Sequence, residues 1–200
     1  MEEAGEVTQL LEAWRAGNAQ APDQLFNLLY RDLHARAHSQ RRRAWSTDTL
    51  DTTALVHESY LKLLGQSQTP WKNHTHFLAV ASTAMRHIII NYAKRGQADK
   101  RGGNWQQVTY DEGGLSRHES THSLLAIEQA LVRLDRIDPR LARIVEYRFF
   151  GGLTESEIAR VLEVTERTVR REWRKAKAVL ASALQADEPR HTNCYRECGH

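Results

Sequence analysis

The chain has 200 residues, 40% hydrophobic and 26% charged, enough to bury a core in one medium domain or two small ones. Lys and Arg outnumber Asp and Glu by only 28 to 25, so the placement of charge says more than its total. No apolar run approaches the length of a membrane span, the longest candidate being the HIIINYA stretch at 87–93, and two cysteines in the last seven residues, Cys194 and Cys198, build no disulfide framework.

The opening MEEAGEVTQLL lacks the basic end, apolar run and small-residue cleavage site of a signal peptide and reads as a cytosolic start. Helical spacing follows at once: Val7, Leu10, Leu11 and Trp14 form a stripe that stops at Gly17, and Leu25, Leu28, Leu29 and Leu33 follow Pro22. The stretch LDTTALVHESYLKLL at 50–64 carries Leu55, Val56, Tyr60, Leu63 and Leu64 and predicts a helix starting near Thr53, with a threonine as its N-cap. After Trp71 a long helical segment is expected from Phe77 to Arg95. Five of the eleven glycines fall between Gly96 and Gly114, in GQADKRGGNWQQVTYDEGG, which has no sustained apolar period and reads as a flexible linker over 96–121. Within it, QQVTY is the best strand candidate of the chain and a weak one. Downstream, Leu124, Ile127, Leu131 and Leu134 make one stripe; Asp138-Pro139 opens a second helix carrying Leu141, Ile144, Val145 and Phe149, which Gly151-Gly152 ends. The expected fold is all-α: two small helical domains on either side of the linker.

Charge is concentrated in two places. Between Arg86 and Arg101 five basic residues stand against Asp99, and between Thr165 and Lys177 six stand against Glu166 and Glu172. The second lies in LTESEIARVLEVTERTVRREWRKAK. Thr154 and Glu157 form the capping box S/T-x-x-E of a helix whose Ile158, Ala159 and Leu162 face inward. Val164 fills a turn, Thr165 caps the next helix, and Val169, Trp173, Ala176 and Leu180 form its buried stripe. Arg167, Thr168, Arg170, Arg171, Arg174 and Lys175 remain outside. Two short helices a turn apart, the second basic and docked by its apolar stripe, predict a helix-turn-helix that reads DNA in the major groove; the alternative is a helical hairpin with a solvated basic face.

This stretch, preceded by LARIVEYRFFGG, resembles the fourth domain of bacterial sigma factors, and ALVHESYLKLL followed by HFLAVASTAMRHIIINYAKR resembles the second. Together they are similar to the extracytoplasmic-function (ECF) group of sigma-70-type initiation factors, over roughly residues 7 to 184. The resemblance implies domain two over 1–95, a linker over 96–121, domain four over 122–185 and a disordered tail over 186–200. It implies core RNA polymerase as partner, through the beta-prime clamp coiled coil and the beta flap, together with promoter DNA. Asp51, His57 and Glu58 then fall on the segment that docks on the clamp. Arg86, Asn91, Lys94 and Arg95 fall on the helix that meets the minus-ten element. Lys72, Asn73 and His74, with Trp71, fall on the loop that captures an extruded base, where Trp71 is either a stacking ring or a core residue.

Two departures from the family pattern bear on function. Glu163 stands in the turn where glycine is frequent. Ahead of LVHE the chain has Asp51, Thr52, Thr53 and Ala54 where the family usually carries acids, resembling a threonine-bearing, acid-poor subgroup. The expectation is that phosphorylation of Thr53, or next Thr52, supplies the missing charge through a Ser/Thr protein kinase; an anti-sigma factor is the other candidate regulator. His191, Cys194, Cys198 and His200 fit no standard zinc spacing, and neither metal nor cofactor is expected. The rival functions are a stand-alone helix-turn-helix regulator, which leaves the first helical block unexplained, and a nucleic-acid enzyme, for which the scattered histidines supply no acid pair or ligand-bearing helix.

Overall fold

A computed structural model describes residues 2–44, 50–65, 73–102 and 112–187. Within them the chain is helical throughout: α1 (Glu2–Arg15), α2 (Ala21–Ala44), α3 (Thr52–Leu64), α4 (His74–Gly102), α5 (Glu112–Ile137), α6 (Pro139–Val145), a π-helical turn (Glu146–Phe150), α7 (Glu155–Leu162) and α8 (Glu166–Asp187). The QQVTY candidate lies outside the described residues, as do Trp71, Lys72 and the histidine- and cysteine-bearing tail. No helix among the described residues is long and apolar enough to cross a membrane.

Helices α1 to α4 enclose one core, in which Leu11, Leu25, Leu33, Leu55, Leu63, Phe77, Met85 and Ile88 are almost fully buried. Each such side chain contributes about 1.5–3 kcal/mol of burial free energy. Small residues let α4 approach closely: Ala81 and Ser82 are buried, the Ser82 hydroxyl donates to Leu78 O, and Gln40 of α2 donates through Nε2 to Ser82 O at 3.0 Å. The C-terminal helices hold two further clusters, one around Ile144, Leu153, Ile158 and Val169, the other around Leu131, Leu134, Leu141 and Ala176. The two sets of helices also touch. Ala79 of α4 belongs to the Ile144 cluster and Leu124 of α5 to the first core.

Several boundaries differ from the expected ones. Helix α4 starts at His74 and runs on through Gly96 to Gly102, and α5 begins at Glu112, so helix occupies both ends of the segment read as a linker. Gly96 costs about 1 kcal/mol relative to Ala, but Gln97, Ala98, Lys100 and Arg101 are good helix formers. The helix expected to run from Asp138-Pro139 to Gly151 is interrupted. Asp138 caps α6 as expected, accepting from Arg140 N and Leu141 N, but the π turn then inserts an extra residue into the helical repeat. The inward position passes from Phe149, which is 37% exposed, to Phe150, which is 5% exposed. Glycine is required at 151, where an added Cβ would lie 2.5 Å from Tyr147 O.

The N-terminus of α3 also departs from expectation. Neither threonine is its N-cap: Asp51 takes that role, its Oδ1 accepting from Ala54 N at 2.6 Å. A carboxylate both satisfies the free amide and opposes the positive end of the helix, which a hydroxyl does not. The helix therefore starts one residue earlier, at Thr52.

Between α7 and α8, Glu163 occupies the left-handed region with φ 56°. An L-residue there costs about 1 kcal/mol or more, whereas glycine is unstrained. Glu163→Gly is therefore expected to stabilise the fold by about 0.5 kcal/mol, after the extra freedom it gives the unfolded chain. Differential scanning calorimetry should show a rise in Tm of roughly 1–2 °C; a lower Tm would refute the strain.

Candidate nucleic-acid interface

The amphipathic pattern of α7 and α8 sets the first surface. Both halves of the predicted capping box form: Thr154 Oγ1 accepts from Glu157 N, and the Glu157 carboxylate accepts from Thr154 N at 2.7 Å. Burial acts to raise the Glu157 carboxyl, but the bonds from Thr154 and the charges of Arg36 and Arg160 outweigh it and hold it below its ordinary value. After the turn, Thr165 Oγ1 accepts from Thr168 N at 3.2 Å and caps α8. Val169 and Ala176 are fully buried and Trp173 half-buried, touching both C-terminal clusters.

The outward side of α8 is basic but not uniform. Arg167, Arg170, Arg171, Arg174 and Lys175 are exposed, and Thr168 is half-buried with its hydroxyl 2.9 Å from that of Thr165. Arg170 is held by two carboxylates, Glu155 at 3.0 Å and Glu166 at 3.4 Å. Among the described residues Arg171 meets Glu172 alone, at 3.9 Å, and Glu172 is already bound to Arg140 at 2.6 Å. The buried position of Glu172, 3% exposed, was missed in the sequence. Its spacing could have shown it, since 169, 172, 173 and 176 share one helical face.

Helix α4 splits the second group of candidates. Asn91, Lys94 and Arg95 lie exposed on one side. Arg86 does not join them: it is 6% exposed, and its guanidinium is bound by Glu128 of α5 and Glu146 of the π turn, with the Phe150 ring 5.6 Å away. Burial raises the Glu146 carboxyl despite the neighbouring Arg86, and burial together with Arg86 lowers His87. At the start of α4, Asn73 accepts from His76 N at 2.9 Å and thereby caps the helix, while His74 Nε2 lies 3.4 Å from Asp32.

The third surface runs along α3. His57 is exposed and its ring packs near Phe26, 5.5 Å between centroids, while Glu58 is half-buried. The Tyr60 hydroxyl donates to Asp23, and burial with that bond drives the phenol pKa well up. Thr53 is exposed beside Asp51. Thr52 is 8% exposed, and its hydroxyl accepts from Arg41 Nη1 at 3.2 Å, a contact the sequence gave no sign of. Among the described residues no group of His, Cys, Asp or Glu is placed to hold a metal ion.

The arrangement thus offers one basic helix side on α8, a smaller polar and basic side on the C-terminal half of α4, and a mixed polar and aromatic surface on α3. A family model described as ECF sigma factor matches residues 4–186. No curated protein matches the chain.

Proposed function

The chain belongs to the ECF sigma factor family, and from that membership we propose that it directs promoter-specific initiation by joining core RNA polymerase in the cytoplasm. The family's role is that of an RNA polymerase sigma factor, not of an enzyme class. The match over residues 4–186 carries the reading, because it spans both helical blocks and leaves neither unexplained, as a stand-alone regulator does. In this reading residues 1–95 bind the beta-prime clamp and the minus-ten strand, residues 122–185 meet the beta flap, and α7, its turn and α8 act as a helix-turn-helix on the minus-35 duplex. Lys and Arg contacts to phosphate set position, and side chains of α8 at base edges select sequence. The test is reconstitution with purified core polymerase. The isolated chain should bind DNA weakly and lose affinity steeply with salt, and it should support specific initiation only with core enzyme. Tight sequence-specific duplex binding without polymerase would instead establish the stand-alone regulator.

Control by threonine phosphorylation is the finer part of the proposal. Thr53 is the supported acceptor, because it is exposed on the first turn of α3, where added negative charge meets the positive end of the helix. Thr52 is buried and engaged with Arg41. Among the described residues Asp51 is the acid at this helix end, and it is committed to its cap. Thr53→Glu should therefore raise affinity for core polymerase by about tenfold, corresponding to roughly 1.4 kcal/mol, with little change from Thr53→Ala in the unmodified protein. Equal holoenzyme formation by unphosphorylated wild type and Thr53→Glu, measured by native gel titration, would rule out the switch and leave an anti-sigma factor as the regulator to seek.

A further inference from the structure

On the inward side of α8, in the company of Val169, Trp173 and Ala176, stands an acid. Glu172 is 3% exposed, and taking a carboxylate out of water costs free energy that an apolar side chain of similar size does not. Its Oε1 accepts from Arg140 Nη2 of α6 at 2.6 Å and lies 3.9 Å from Arg171 Nη2. Its Oε2 is buried and accepts no hydrogen bond among the described residues. The burial is therefore compensated only in part, which a role confined to packing does not explain. Both cations beside it look outward: Arg140 keeps 51% of its side chain exposed and Arg171 62%. A guanidinium carries five N–H donors, so one edge can rest on Glu172 while another stays turned to solvent. Two arginines from different helices, backed by one carboxylate oxygen, extend the basic side of α8 onto the first turn of α6.

We infer that Arg140 is a further DNA-contacting residue, gripping a backbone phosphate beside the base edge read by Arg171, and that Glu172 is the positioning residue that aims both. The inference deepens the proposed function and rests on its duplex partner. Arg140 then sets position and Arg171 selects sequence, with the register between the two contacts held by a carboxylate that never touches DNA. Fixing a guanidinium in advance reduces the rotamer freedom it loses on binding and sets the angle at which its planar fork meets a partner.

Glutamine tests either position, because it removes the charge while keeping a side chain able to hydrogen-bond between α6 and α8. The first measurement uses the isolated full-length chain on labelled duplex DNA of mixed sequence, by fluorescence anisotropy over a range of salt, circular dichroism confirming retained helix. Arg140→Gln should reduce the slope of log affinity against log salt by about one, and Arg140→Lys should keep the wild-type slope. Glu172→Gln should bind this DNA more tightly than wild type, since an acid behind two DNA-facing cations is gone. The second measurement uses holoenzyme on a promoter chosen by wild type and varied one base pair at a time across the minus-35 element. Glu172→Gln should lose selectivity roughly fivefold or more at the position that Arg171→Ala also relaxes, and keep it elsewhere. Loss of packing alone would weaken both kinds of binding together and single out no position. A wild-type salt slope in folded Arg140→Gln, or in the Arg140→Gln, Glu172→Gln double variant should the single one not fold, overturns the phosphate contact. Weaker mixed-sequence binding by Glu172→Gln, or unchanged selectivity, overturns the positioning role. Failure to form holoenzyme tells against the proposed function alone, and the salt slope and mixed-sequence affinity still decide the two roles.

Discussion

Trp173→Ala is expected to lower the unfolding free energy by about 3 kcal/mol, the bottom of the range for a tryptophan truncated in a core. The indole packs against both C-terminal clusters, the one that holds Ile158 and Val169 and the one that holds Leu141 and Ala176. It therefore joins α7 and α8 to α5 and α6, and no other side chain among the described residues belongs to both. Its outer face adds cation contacts, Arg148 at 4.9 Å and Lys177 at 5.7 Å from the ring centroid. The low end of the range applies because the ring is only half-buried. Urea denaturation followed by circular dichroism measures the change, and Trp173→Phe should recover more than half of it. A loss below about 1 kcal/mol, the scale of an ordinary surface substitution, would show that the two clusters hold without their shared residue.

Arg171→Ala should reduce promoter-specific initiation by roughly 5- to 150-fold, the equivalent of about 1–3 kcal/mol for a bidentate base contact, with no fall in Tm. The side chain is 62% exposed, and its nearest acid is engaged by Arg140, so its donors remain available to a base edge. Arg170 behaves differently because Glu155 and Glu166 hold it. Arg170→Ala should lower Tm as well as promoter use, since it removes the ion pair between α7 and α8. In vitro transcription from a promoter chosen by the wild-type holoenzyme, read beside thermal melts of each variant, separates the two effects. Unchanged initiation by Arg171→Ala would remove this residue from the reading surface.

Much of the fold is legible in the sequence because helical spacing marks a buried stripe wherever one side of a helix is covered. That holds for Val7, Leu11 and Trp14 and for Val169 and Ala176, and the capping box at Thr154 and Glu157 follows from side-chain chemistry alone. The π turn is not legible, because period counting assumes a constant repeat and an inserted residue shifts every later position by one, as it does at Phe149 and Phe150. The threonine cap failed for a different reason: hydroxyl and carboxylate compete for the same amides, and Asp51 stands one residue ahead. Arg86 is the most instructive case. The sequence FLAVASTAMRHIIINYA is apolar on every side, which marks a helix covered all round, and a cation in its middle must then be paired rather than exposed. The family resemblance groups it with Asn91, Lys94 and Arg95, but of the four only these three reach the surface.

That coverage has a consequence for how this chain can vary. The middle of α4 answers to two neighbourhoods at once: Met85 fills the core shared with α2 and α3, while Ala79, six residues earlier, lies against the C-terminal cluster. Enlarging Ala79 would push the helix off Ile144 and Tyr147, and shrinking Met85 would leave a void on the other side; no rotation of the helix relieves both. Substitution should be tolerated least along the centre of α4 and most along the outer side of α1, where Glu6 and Glu12 face solvent and constrain nothing behind them.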